Sequence, residues 1–295
     1  MNDHASPFNH RPLAPSHLQI SPPVVVDEDK QSNDKGSKPF DICTPKLNRC
    51  VVLKASLFVK NREKRKEMTQ TKERTVLRPG MVLLKGYISI RDQIKIVKVI
   101  RELGLGDGGF YQPSYDEGAE LQLKMMCLGK NWDPQTSRYL DQRPCDGSSP
   151  PEIPSEFVDL VNSAVHESNS ITKPSNSKPI PSISPDICIV NFYAKNGKLG
   201  LHQDKDESEE SIRKGLPVVS FSIGDSAEFL YGDESNVAKA KKVVLESGDV
   251  LIFGGKSRKV FHGVASIDPN SAPSLLVEET DLRRPGRLNL TFRQY

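Results

Sequence analysis

Cysteine is scarce and poorly spaced in this sequence: Cys43, Cys50, Cys127, Cys145 and Cys188 form no C-x-x-C pair and leave one over. That excludes a disulfide framework and a zinc ribbon and points to a reducing compartment. No apolar run approaches the length of a bilayer span, so no membrane partner is expected. Net charge is only +3, too small for global attraction to a polyanion, so any nucleic-acid contact has to be a local patch. Hydrophobic residues are 36% of the 295 positions, and the shortfall is concentrated towards the N-terminus. The Gly-rich stretch GLGDGGFYQPSYDEG lacks the G-x-x-x-x-G-K-S/T order of a phosphate loop, and no internal repeat is evident.

What is present divides the chain into three parts. Residues 1–75 are expected to be a disordered, basic-ended tail, because their Pro, Ser, Asn and Asp offer no sustained apolar period to offset the entropy of ordering. Asp3, Asp27 and Glu28 fit neither a secretory nor a transit peptide. The run KNREKRKEMTQTKER at 60–74 reads as a nuclear import signal, as a phosphate-contacting arm or as a solvated linker, and the expected location is nucleus and/or cytoplasm.

Residues 76–180 begin the globular texture. Ile94, Ile96, Val97 and Ile100 recur at helical spacing, with Gly104 where the helix should stop. ELQLKMMCLG predicts a strand. KNWDPQTSRYLDQRPCDGSSPPEIPSEF predicts a surface wrap or substrate loop. A second helix follows, with Ser155 as its cap, Phe157, Leu160, Val161 and Val165 on one face, and His166 as a dipole partner near its end. Residues 181–295 carry short β-type runs broken by Gly, Asp and Ser, which argue for a sandwich, jelly roll or barrel. The fold class is therefore mainly β with flanking helices (α+β).

Chemistry concentrates in this last part. In HQDKD, strand alternation would place His202 and Asp204 on one face, and His262 lies in another β-type run that a jelly-roll path could bring opposite. His-x-Asp with a distal His is the composition of the facial triad that leaves positions open on Fe(II) for O2. The same triple also arises as an exposed hairpin histidine and a core histidine. In GRLNLTFRQY, Arg287, Asn289, Thr291 and Arg293 share one strand face while Leu288, Leu290 and Phe292 take the other. Two inward guanidinium groups call for an anion, and a carboxylate suits their forked donors. Asn191 and Tyr193 share a face in the same way. A dicarboxylate that chelates iron at one end and meets Arg at the other is 2-oxoglutarate.

These motifs resemble a known family. NFYAKNGKLGLHQDKDE, ESGDVLIFGGKSRKVFHGV and RLNLTFRQ are similar, in order, to the Fe(II)- and 2-oxoglutarate-dependent dioxygenases of the AlkB family, in particular its homologue-one branch, and the likeness covers residues 80–295. The resemblance implies a double-stranded β-helix (jelly roll, cupin-like) at 181–295, carrying an N-terminal nucleotide-recognition lid at 76–180. It implies His202, Asp204 and His262 as iron ligands and Asn191, Tyr193, Arg287, Asn289 and Arg293 as co-substrate contacts. Arg293 would meet the far carboxylate of 2-oxoglutarate, and Arg287 would lie near its chelating end. Asp206 would contact the exocyclic nitrogen of adenine, Trp132 would stack on a flipped base, and Tyr139 would be a lid tyrosine.

The implied activity is oxidative demethylation of N-methylated bases with release of formaldehyde, succinate and CO2, N6-methyladenine in DNA being favoured. Repair of 1-methyladenine and 3-methylcytosine in DNA, or demethylation of tRNA or other RNA, are the alternatives. Methylated DNA, single-stranded or not, or RNA would be the partner. Three departures from the bacterial pattern, Asp141 for a lid tyrosine, Phe253 for a Trp and no Arg near Asn236, bear on base preference and leave the oxygen chemistry intact. A same-fold hydroxylase of protein or small molecules and a nucleic-acid-binding module with a vestigial site are the competing classes.

Overall fold

The computed structural model describes residues 40–45, 73–114, 120–172 and 178–295. The run at 60–74 lies outside them except for its last two residues, as does nearly all of the expected tail. In chain order the described residues form β1 (Arg74–Arg78), β2 (Met81–Leu84), α1 (Ile90–Leu105), β3 (Lys124–Leu128), β4 (Asn131–Asp133), β5 (Arg138–Leu140) and α2 (Ser155–Thr172). Then follow β6 (Ile187–Tyr193), β7 (Leu199–His202), α3 (Glu209–Lys214), β8 (Val218–Gly224), β9 (Ser226–Gly232) and β10 (Lys241–Leu245). The chain closes with β11 (Val250–Phe253), β12 (Phe261–Asp268), α4 (Ser274–Thr280) and β13 (Arg287–Arg293). No helix among these residues is long and apolar enough to cross a membrane.

Alternation decides how the strands stack. On β13, Leu288, Leu290 and Phe292 join Cys188, Val190 and Phe192 of the neighbouring β6 in a core shared with Ile96, Val97 and Ile100 of α1 and Phe157 and Val161 of α2. The opposite face of the same sheet contributes Ile187, Ile189 and Tyr193 to a second core, completed by Phe229 and Tyr231 of β9 and Val264 of β12. Two antiparallel sheets thus face one another as a jelly roll, with the helices outside. The larger has the order β1-β2-β11-β8-β13-β6-β3 and the smaller β10-β9-β12-β7. KKVVLESGDVLIFGG splits between them: β10 joins the small sheet and β11 the large one. Each fully buried Ile, Leu or Phe on these faces adds about 1.5–3 kcal/mol.

Several expectations are corrected. The tail does not run unbroken to residue 75, since Ile42 and Cys43 are fully buried and Cys43 bridges to Leu282. Asp41 pairs with Arg101 at 2.7 Å, and the Phe40 ring packs on Phe192. A lone apolar pair has no period to reveal it; its partners lie far along the chain. Strands β1, β2 and β3 belong to the seven-stranded sheet, so residues 76–180 share that sheet with residues 181–295. Helix α1 runs past Gly104 to Leu105, and that glycine is kept small by the Phe110 ring, 2.5 Å from where a Cβ would stand. Ser89 caps the start by accepting from Asp92 N. Ser155 is itself helical, and the Pro154 carbonyl accepts the first helical N–H, from Phe157, at 3.0 Å. His166 is exposed and stands before the last turn, too early to meet the helix dipole. The stretch expected as a surface wrap or substrate loop contains the β4–β5 hairpin, which sets Trp132 opposite Tyr139.

One glycine sets the spacing of the small sheet. A Cβ on Gly263 would stand 2.5 Å from the Leu199 carbonyl oxygen and 2.8 Å from that of Gly200, both backbone atoms of β7. We expect Gly263→Ala to cost about 1–3 kcal/mol through overpacking, whereas Gly200→Ala, with nothing within 4 Å of its Cβ, should cost far less. Urea denaturation of the two variants tests this, and equal losses would contradict it.

Candidate active site

Strands β7 and β12 are antiparallel neighbours, and their register sets His202 directly opposite His262. The ring centroids are 4.4 Å apart. Strand β7 ends at His202, so Asp204 lies just past the strand and not on its face. It is still delivered to the pair. Its Oδ1 is 3.7 Å from His202 Nε2 and its Oδ2 is 3.6 Å from His262 Nε2. One ligand atom from each of the three lies within 4.8 Å of the others.

Hydrogen bonds fix the tautomers. His202 Nδ1 is 2.9 Å from the Gly200 carbonyl and His262 Nδ1 is 3.1 Å from that of Val260. A carbonyl can only accept, so each Nδ1 carries a proton and each Nε2 is the ring atom turned towards Asp204. Burial pushes His262 down to about 4 against the pull of Asp204, so its imidazole is neutral at pH 7. Burial alone would raise Asp204, but Arg293, the two histidines and Arg258 outweigh it and hold the carboxyl well below the usual range. His262 and Asp204 thus offer donor atoms without a proton. Asp204 Oδ2 is buried and makes no hydrogen bond, an acceptor that a divalent cation would satisfy.

These groups border a cavity of about 630 Å³, between the two sheets, whose wall includes Trp132, Tyr139, Asn191, Tyr193, Asn289 and Arg293. Arg293 Nη2 donates to Asp204 Oδ1 at 2.7 Å. Arg287 is six residues away on β13, about 20 Å at strand rise, directly opposite Tyr193 on β6. The two arginines therefore stand in the reverse of the order expected from the resemblance: Arg293 is at the metal end and Arg287 at the far end. The C-terminal end of β13 is the one that meets the segment after β7. Arg287 is fully buried behind the cavity wall, giving Nη2 to Ser222 Oγ at 2.8 Å and Nη1 to the Asp225 carbonyl at 3.1 Å, and its Nε has no partner. Burial lowers it to about 10, so it remains charged at neutral pH, and burial pushes the neighbouring Tyr193 hydroxyl up to about 12. Arg287 Nε and Asn191 Oδ1 are buried without hydrogen bonds, and a carboxylate arriving at this end would satisfy the free guanidinium donor. The Asn289 amide is already engaged, donating to Ser220 Oγ at 2.7 Å and the Phe221 carbonyl at 2.9 Å, so it shapes the wall.

The β4–β5 hairpin closes the other side. Trp132 is half-buried, and its Nε1 donates to Asp206 Oδ2 at 2.9 Å. Tyr139 Oη accepts from Arg293 Nη1 at 3.0 Å. Burial holds the Tyr139 hydroxyl well above its usual value despite the nearby Arg293 charge. Of the three departures, Phe253 packs 4.8 Å from the His262 ring, Asp141 is exposed beside Lys130, and the Asn236 side chain folds back on its own turn. Two residues were missed by sequence reasoning. Glu207 and Arg258 are buried in the site and paired at 2.8 Å. Glu207 sits in an acidic run and Arg258 in a basic turn, and no spacing signal marks them.

The 2OG-Fe(II) oxygenase superfamily model matches residues 80–293. The chain is 60% identical over 283 residues to the Arabidopsis thaliana DNA N(6)-methyladenine demethylase ALKBH1C, covering 94% of this chain and 61% of that protein. It spans about three fifths of the length of such curated plant relatives. It is 38% identical to the alpha-ketoglutarate-dependent dioxygenase AlkB of Salmonella typhimurium, over 74% of this chain and 91% of that one. The solved structure of OsALKBH1 superposes with a TM-score of 0.73 at 57% identity, covering 76% of this chain and all of that chain.

The depressed His262 has a measurable consequence for the metal-free protein. An unfolded histidine titrates near 6.5 and the folded one near 4, so between these values the unfolded chain binds a proton that the folded one refuses. Stability is therefore fully present above about 6.5 and lost as pH falls through about 4. Urea midpoints between pH 7 and pH 4 should fall more steeply for the wild-type chain than for His262→Gln; parallel curves would rule this out.

Proposed function

This chain belongs to the AlkB family of the 2OG-Fe(II) oxygenase superfamily, and from that premise we propose that it removes N-methyl groups from nucleic-acid bases by oxidation, with N6-methyladenine in DNA as its principal substrate. The observation that carries this reading is one cavity bordered by the His202, Asp204 and His262 donors and by the chain's only tryptophan, held beside Asp206. The name of the plant relative ALKBH1C, a DNA N(6)-methyladenine demethylase, supports the choice of base.

His202, Asp204 and His262 would hold Fe(II). Arg293 at the metal end, and Tyr193 with Arg287 at the other, would hold 2-oxoglutarate. When bound, these groups supply the oxidation: one atom of O2 goes to the methyl carbon and the other to succinate, CO2 is lost, and the hydroxymethyl amine collapses to formaldehyde and an N–H base. The protein supplies placement. The Trp132 face replaces the stacking a base loses on leaving a strand. Asp206 has committed Oδ2 to the indole, so Oδ1 remains to accept the single exocyclic N–H that N6-methyladenine retains. Phe229 and Phe253, packed against His262, keep the metal side of the cavity apolar.

Mass spectrometry of nucleosides, after incubation with a panel of methylated DNA and RNA oligomers plus Fe(II), 2-oxoglutarate and ascorbate, tests the reading. We expect N6-methyladenine in DNA to fall fastest, with one formaldehyde and one succinate per methyl lost. Chelation of iron or Asp204→Ala should abolish turnover. If a tRNA or a 1-methyladenine oligomer is consumed faster, the choice of base is wrong; if none is consumed, so is the choice of substrate class. Asp206→Ala should slow base demethylation about 10- to 100-fold, the worth of a charge-assisted hydrogen bond, while leaving substrate-free turnover of 2-oxoglutarate nearly unchanged. Equal loss of both would refute its role.

A further inference from the structure

Four charged side chains are buried together beside the metal-ligand cluster: Asp204, Glu207, Arg258 and Arg293. Arg293 Nη2 holds Asp204 Oδ1 at 2.7 Å, and its Nε lies 3.3 Å from Glu207 Oε1. Arg258 Nη2 meets the other Glu207 oxygen at 2.8 Å, and its Nη1 donates to the backbone carbonyl of Asp204 at 2.5 Å. The Tyr139 hydroxyl, which accepts from Arg293, lies 3.4 Å from Glu207 Oε1.

This arrangement exceeds what charge balance requires. Neutralising one buried carboxylate takes one guanidinium, and each further buried ion costs several kcal/mol in desolvation before its pairings offset it. The second pair has a geometric effect instead. Asp204 is gripped twice, at its side chain by Arg293 and at its main chain by Arg258, and both grips meet at Glu207. Oδ1 is thereby occupied, and Oδ2, which faces His262 and has no hydrogen bond, is the oxygen left free.

We propose that Glu207 is a positioning residue for the metal site: by bridging Arg258 and Arg293 it locks the rotamer of Asp204 so that a single oxygen, Oδ2, is presented to the cation between the two imidazoles. The proposal rests on the iron-site reading and adds a residue outside the set of three metal donors. Through the Tyr139 hydroxyl the same carboxylate also joins the β4–β5 hairpin to the metal-bearing segment.

The test uses the full 295-residue chain with Glu207→Gln, which keeps the shape and loses the charge, and Glu207→Asp, which is too short to reach both guanidinium groups. Mn(II) affinity is read from the electron paramagnetic resonance of the free ion, without co-substrate. The charge-transfer absorption of the anaerobic Fe(II)–2-oxoglutarate complex is read separately, and thermal unfolding tracks the fold. In folded variant protein we expect Mn(II) to bind about 10- to 100-fold more weakly, the usual effect of losing a group that orients a ligand. The charge-transfer band should shift, and Glu207→Asp should fall between wild type and Glu207→Gln. A variant that melts earlier yet binds Mn(II) as wild type does, with an unshifted band, would reduce Glu207 to a structural charge partner and overturn the proposal. Failure of the wild-type chain to bind Mn(II) would overturn the iron-site reading, and the proposal with it.

Discussion

The pairing of β7 with β12 is the constraint from which the site follows. Antiparallel register sets His202 across from His262, and because side chains directly opposite on one sheet face stand about 5 Å apart, two imidazoles are committed to one small volume. Gly263 makes the approach possible by presenting no Cβ to the β7 carbonyls. A slip of β7 by one residue would turn His202 to the other face of the sheet, away from His262.

Once the histidines are fixed, electrostatics and hydrogen bonding decide their state. Two backbone carbonyls take the Nδ1 protons, burial keeps His262 neutral, and positive neighbours keep Asp204 ionised. The protein therefore sets a neutral imidazole and a carboxylate beside the Nε2 of His202. The same low-dielectric interior makes the charges expensive, which is why they occur as an interlocked set and why the two arginines of β13 differ in role. Arg293 lies among the Asp204 and Glu207 carboxylates, whereas Arg287 is held by the Asp225 and Leu245 carbonyls and the Ser222 hydroxyl, with no carboxylate on it. The hairpin carrying Trp132 and Tyr139 is tied into this set, so the surface that would receive a base and the segment that would hold the metal share hydrogen bonds.

Much of this was legible along the chain, for a specific reason. Leu288, Leu290 and Phe292 against Arg287, Asn289, Thr291 and Arg293 is a period of two, and a strand that buries both faces turns that period directly into a core and a cavity wall. His202, Asp204 and His262 stand out only beside the polar face of that last strand, because H-x-D with a later His also arises from structural histidines. Where the reading failed, the missing information was non-local. Phe40 and Ile42 are embedded in a Pro- and Ser-rich tract and become core only against distant residues, Phe40 against the Phe110 and Phe192 rings. Gly104 looks like a helix stop because the Phe110 ring that requires its small size cannot be seen in a pattern. The order of the two arginines was misread because composition says which side chains share a face, not which end of the strand meets the metal.

By itself, then, the sequence determined the periodic and the compositional: a mainly β body, an apolar and a polar face on its last strand, and the residue types able to hold a metal and an anion. Tertiary structure decided the rest: the register that joins His202 to His262, the direction of β13 that brings Arg293 and not Arg287 to Asp204, and the burial of Glu207 and Arg258 from highly charged stretches. The physical reason is that face and composition are properties of neighbouring residues, whereas register, strand polarity and desolvation arise only when distant segments are packed against each other.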